Sequence, residues 1–101
     1  MSTDTLTAIG LRDAIAAGTL SAEDACRDAL ARITAGNTAL HAFHTVEADR
    51  ALARARSLDE GSAPRGPLHG VPVALKDNMV VQGTITTAGS RALERYRSPF
   101  D

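Results

Sequence analysis

Lys76 is the only lysine among the eleven basic residues of this chain, the other ten being arginine. It closes the run Val71-Pro72-Val73-Ala74-Leu75-Lys76 and is followed by Asp77-Asn78. The residue type matters chemically. A desolvated lysine amine can lose its proton and act as a base, whereas an arginine guanidinium stays charged. A strand-end lysine beside an aspartate is more ordinarily one half of a solvated ion pair. The surrounding residues decide between the two readings.

Other reactive side chains offer less. His41 and His44 lie three apart, but no further histidine, cysteine or carboxylate is spaced to complete a metal site around them, so they read as structural or solvent-facing. Cys26 falls on the apolar stripe of a helix and reads as core packing rather than as a reactive thiol. Ser90 sits in Thr86-Thr87-Ala88-Gly89-Ser90, without the Gly-x-Ser-x-Gly surroundings of a nucleophile elbow. A self-contained Lys76–Ser90 dyad is therefore disfavoured.

Composition bounds the remaining classes. At 101 residues the chain is one domain or part of one. A hydrophobic content of 44% is that of a globular protein, but aromatics supply only 3%, so the core is thin in large side chains. The formal net charge is −1, which gives direct nucleic-acid binding little support. Arg50, Arg54 and Arg56 form the one local basic cluster and are explained by a solvated helix face. A single cysteine fits a reducing, cytoplasmic setting. Neither a membrane-spanning apolar stretch nor a signal-peptide start is present in the sequence, so no membrane association is expected.

The elements that position Lys76 follow from local signals. Thr7 as N-cap and Gly18 as stop predict a helix over 8–17, with Leu11 and Ile15 facing inward. Ser21 followed by Glu23 and Asp24 predicts a second helix start, with Ala25, Cys26, Ala29, Leu30 and Ile33 at helical spacing and Gly36-Asn37 as its end. His41–Val46 alternates and predicts a short strand. Glu47 to Asp59, rich in alanine, leucine and arginine, predicts a third helix with Ala48, Leu52 and Ala55 inward. Residues 60–70 carry the Gly/Pro/Ser signature of a loop. Val71–Lys76 predicts a strand that sends Val71, Val73 and Leu75 to one face and Ala74 and Lys76 to the other. A following element runs to about residue 95, with a short helical pattern from Arg91.

The run Gly66-Pro67-Leu68-His69-Gly70-Val71-Pro72-Val73-Ala74-Leu75-Lys76-Asp77-Asn78, with Thr86-Thr87-Ala88-Gly89-Ser90 and Leu93 behind it, resembles the lysine-bearing segment of the amidase signature family. Leu20-Ser21, Leu30-Ala31-Arg32-Ile33 and Leu40-His41-Ala42-Phe43 are similar to the helices that precede it. Within the family, the tail Leu93–Asp101 resembles the branch formed by the A subunits of aspartyl/glutamyl-tRNA amidotransferases.

The resemblance implies an α/β fold, of which this chain supplies the N-terminal part: helices packed on an incomplete mixed sheet. It implies a relay of a lysine base, a bridging serine in a cis peptide and a nucleophilic serine, with Lys76 at the lysine position. Both serines belong to a downstream Gly/Ser-rich stretch that these residues do not reach. The expectation is thus an N-terminal piece of an amidase that is inactive by itself. No cofactor is expected in this chain. In the amidotransferase branch, glutamine is the amide donor, the B and C subunits are the partners, and a partner subunit uses ATP and Mg to amidate misacylated tRNA. Two alternatives remain: a fragment of a general amide hydrolase of the same family, or a non-catalytic module that docks on an amidase or its partner through unpaired strand edges.

Overall fold

A computed structural model describes residues 3, 5–61 and 65–101. They fall into two compact units, one drawn from Met1–Phe43 with Ala48–Pro72, the other from His44–Glu47 with Val73–Asp101. Of the loop expected over 60–70, residues 62–64 lie outside the described residues.

The first unit holds three helices, α1 (Ala8–Ala16), α2 (Ala22–Leu40) and α3 (Ala48–Glu60). Helix α1 starts where expected, because the Thr7 hydroxyl accepts the Gly10 amide at 3.0 Å. It ends in a left-handed turn at Gly18, φ +76°. There the Thr19 amide donates to the Ala14 carbonyl at 3.0 Å and the Gly18 amide to the Ile15 carbonyl at 3.1 Å, the paired bonds of a Schellman cap.

Helix α2 is capped twice. Ser21 Oγ accepts the Asp24 amide at 3.0 Å, as its position in the sequence implies. The Asp59 carboxylate, arriving from α3, accepts the Ala22 and Glu23 amides at 2.8 and 3.0 Å. An anion on N–H groups that have no partner within the helix also complements the helix dipole. Arg56 Nε reaches Glu23 Oε1 at 3.1 Å, and Arg27 shares the same carboxylate. The hydrogen bonds from Arg27 and Arg56 hold the Glu23 carboxyl below its ordinary pKa.

The expected stop at Gly36-Asn37 is corrected: α2 runs on to Leu40 and is closed by His41 in the left-handed region, φ +49°. The Asn37 side chain does not break its own helix. It reaches forward, accepting the Phe43 amide at 2.8 Å and donating to the Phe43 carbonyl at 3.0 Å. With the side chain so engaged, the helix passes through Gly36 at a cost of about 1 kcal/mol relative to alanine.

Small residues let the helices approach closely. Ala22, Cys26 and Ala55 form one buried cluster under Leu30, Ala51, Leu52 and Leu58; Ile15, Leu20 and Ala25 form another with Leu11 and Ala14. On α3, Ala51, Leu52, Ala55 and Leu58 take part in this packing, Leu52 and Ala55 as expected, and Ala48 is half-buried. Cys26 is core, as its stripe implied, and burial pushes its thiol pKa up. Gly70 closes the unit. Its φ is +80°, and a Cβ there would lie 3.0 Å from both Ala22 Cβ and Ile15 Cδ1.

No strand forms among the described residues, which corrects the two expected strands and the incomplete mixed sheet. Residues 41–43 are taken up by the cap of α2. Residues 71–76 have strand-forming side chains, but a strand exists only where a second backbone accepts and donates its ladder bonds. Val73 and Leu75 are instead 63% and 53% exposed. The one β contact among the described residues is an isolated antiparallel bridge between Ile85 and Arg97 in the second unit.

Candidate functional site around Lys76

The second unit is built almost entirely from hydrogen-bonded turns. Lys76 begins one of them: its carbonyl accepts the Met79 amide at 3.0 Å. The Lys76 side chain is exposed.

Asp77 is the most heavily bonded residue beside it. Its carboxylate accepts the Thr87 amide at 2.9 Å and the Thr87 hydroxyl. Its carbonyl accepts the Ala88 amide at 2.8 Å. The Thr87 hydroxyl, then the Thr87 amide, hold the Asp77 carboxyl below its ordinary pKa, and the charge of His44 adds a smaller pull in the same direction. An aspartate engaged in this way is not simply the solvated partner of its neighbouring lysine. One residue before Thr87, the buried Thr86 donates its hydroxyl to the Met79 carbonyl at 3.2 Å and its amide to the Tyr96 carbonyl at 3.2 Å. The Thr-Thr pair therefore binds both sides of the turn that begins at Lys76.

The rest of the unit braces this element. The Ser98 amide donates to the Thr84 carbonyl at 3.1 Å, the Gly83 amide to the Ser98 carbonyl at 2.7 Å, and Arg97 to the Gly83 carbonyl at 2.9 Å. Ser90 is exposed, and its hydroxyl caps the 3-10 turn Arg91–Leu93 by accepting the Ala92 amide at 3.3 Å. That is the helical pattern expected from Arg91, shortened to one turn.

The other sequence candidates are placed as follows. His41 caps α2, and His44 belongs to the second unit. No group of three or more His, Cys, Asp or Glu side chains suited to holding a metal occurs among the described residues. Of the three arginines on α3, Arg56 is paired with Glu23. A cavity of about 530 Å³ in the helical unit is lined by Arg54, Ser57, Leu58, His69 and neighbouring residues, with no carboxylate or thiol among the described lining residues. No described helix is long and apolar enough to cross a membrane. Sequence reasoning picks out Lys76 but not the Asp77–Thr87 contact; the only hint is that both lie inside the family-like runs.

The amidase family profile matches residues 24–101, and the chain belongs to that family. Lys76, Asp77 and the Thr-Thr element all fall inside the matched region. More particularly, the chain is 50% identical over 104 residues to the A subunit of glutamyl-tRNA(Gln) amidotransferase from Cupriavidus necator, covering 99% of this chain and 20% of that protein. It is 45% identical over 100 residues to the corresponding A subunit of Symbiobacterium thermophilum, covering 95% of this chain and again 20% of the relative. A chain from the solved structure described as "An unexpected vestigial protein complex reveals the evolutionary origins of an s-triazine catabolic enzyme" is similar over 100% of this chain and 22% of its own length. Its identity is 32% and the TM-score 0.80. The chain thus spans about a fifth of the length of these relatives.

Proposed function

We propose that these residues are the lysine-bearing N-terminal portion of an amidase of the kind represented by the amidotransferase A subunits, and that Lys76 is the base of its proton relay. The single observation that carries the reading is the placement of the chain's only lysine in a family-matched run, with the following turn braced by Asp77 and Thr87.

In the proposed reaction, glutamine is the amide donor. Lys76, as the neutral amine, takes a proton by way of a bridging serine from a nucleophilic serine, both supplied by sequence beyond these residues. The serine oxygen bonds to the carboxamide carbon, and backbone amides hold the oxyanion. The C–N bond breaks, and the relay returns its proton to the leaving nitrogen, which departs as ammonia. Water then releases glutamate and restores the serine. Ammonia passes to a partner subunit, which uses ATP and Mg to amidate misacylated tRNA; the B and C subunits of the amidotransferase are the proposed partners. Residues 1–101 taken alone hold one relay member and are proposed to be inactive.

The test is a chimera in which residues 1–101 replace the matching fifth of the Cupriavidus necator protein, assayed for glutamine hydrolysis. We expect turnover, and a loss of about 10²–10⁴-fold in Lys76→Ala, the size of a general-base contribution. Arginine cannot rescue it, since guanidinium does not deprotonate. Turnover unaffected by Lys76→Ala would end the proposal.

A second reading has one observation in its favour. Val73, Leu75 and Met79 expose large apolar side chains along one segment, as a docking module would. Residues 1–101 that bind a relay-competent chain without restoring or needing Lys76 would favour it.

A further inference from the structure

We propose that Asp77 is a positioning residue for Lys76, clamped by Thr87 so that the turn presenting the amine is rigid; this rests on the reading of Lys76 as the relay base. Asp77 is held from two directions by residues ten and eleven positions later: Thr87 through its amide at 2.9 Å and its hydroxyl, and Ala88 through its amide at 2.8 Å to the Asp77 carbonyl. The Met79 carbonyl is held by the Thr86 hydroxyl at 3.2 Å, and the Met79 amide returns to the Lys76 carbonyl at 3.0 Å. Asp77, which adjoins Lys76, and Met79, which closes its turn, are both held in this way, so the clamp sets the direction in which the lysine leaves the backbone.

The clamp is also held against local preference. Ala88 has φ +50° and is followed by Gly89 at +75°. An alanine in the left-handed region is unfavourable and persists only where surrounding bonds over-determine it. Here the strained residue is the one whose amide, with its neighbour's, points at Asp77. The carboxylate is charge-assisted as an acceptor, which makes it a stronger anchor than an amide side chain in its place. His44, in the same unit, adds a smaller pull in the same direction. A base must be held near its reacting geometry, and a misplacement of about 1 Å costs on the order of a hundredfold in rate.

The experiment uses the complete amidase chain that carries this segment, with its partner subunits. Asp77→Asn keeps the shape but removes the charge. Thr87→Val removes the hydroxyl donor, and Thr87→Ser keeps it. We expect Asp77→Asn and Thr87→Val to lower kcat for glutamine hydrolysis by about ten- to a hundredfold with KM unchanged. We also expect them to move the pH midpoint of kcat/KM, because the base is held in a different environment. Thr87→Ser should recover most of the rate lost in Thr87→Val. A fall in rate that tracks a fall in folded fraction, with the pH midpoint unmoved, would overturn the proposal in favour of a brace for the fold alone. So would variants of parental rate, or a failure of both Asp77→Asn and Thr87→Val to fold. If the reading of Lys76 itself is wrong, the failure shows separately, as turnover persisting in Lys76→Ala.

Discussion

The helical unit and the lysine-bearing unit are stabilised by different means. In the first, three helices bury alanine, leucine and isoleucine side chains in two small clusters. In the second there is a single turn of 3-10 helix and one isolated bridge among the described residues, and order comes from threonine, serine and aspartate bonding to backbone. Its buried side chains, Thr86 and Ser98, are polar. Apolar packing makes a unit that stands largely on its own contacts. A network of turns, with Val73, Leu75, Met79 and Phe100 left exposed, makes a surface suited to being covered.

Amide exchange would test this contrast most severely. Amides in the middle of α2 and α3 should exchange several orders of magnitude more slowly than those of residues 73–76, because only the former are in a cooperative hydrogen-bonded element. Strong protection across 73–76 in the isolated segment would mean that the lysine region orders itself. A smaller effect is expected from Gly70→Ala. The left-handed φ and the 3.0 Å approach to Ala22 and Ile15 together predict a loss of about 2–4 kcal/mol from the helical unit, read from its denaturant midpoint. A wild-type midpoint would show that the turn can move away from Ala22.

Acid should produce the gentlest change, and it should be visible in the second unit. The folded pKa of Asp77 is depressed, so its clamp contributes stability above the ordinary carboxylate pKa of about 3.9 and loses it as pH falls through the lower, folded value. Exchange at Thr87 and Ala88, corrected for intrinsic rates, should accelerate over that interval in the parent chain. In Asp77→Asn the acid-dependent part should disappear. The helical unit has its own depressed carboxyls, Glu23 and Asp28, held down by hydrogen bonds from Arg27 and Arg56 and from Thr3, so it too should weaken in acid, but through different residues.

Much of the helical unit is legible from neighbouring residues. Thr7 and Ser21 are recognisable as caps because the donors they satisfy lie three positions away. The stop of α2 is not legible in the same way, because Asn37 can either break a helix or bond forward, and only the position of Phe43 selects the second. The two expected strands fail for a related reason: alternation and β-branching report a preference, while a strand also needs a partner backbone. At the candidate site, Lys76 stands out by its singular occurrence and by the family-like run around it. Asp77 does not, since an aspartate after a lysine is ordinary until Thr87 is found against it.

By itself the chain's order of residues determined the helix starts, the apolar stripe with Cys26 in it, the place of Lys76 and membership of the amidase family. These depend on contacts within a few residues or on a matched pattern, which are properties of a linear string. Only the tertiary structure decided that Asp59 caps α2, that Gly70 must lack a side chain beside Ala22, and that Asp77 is held by Thr87. Each of those joins positions ten or more residues apart, and which donor meets which acceptor across such a distance is settled only once the chain has turned back on itself.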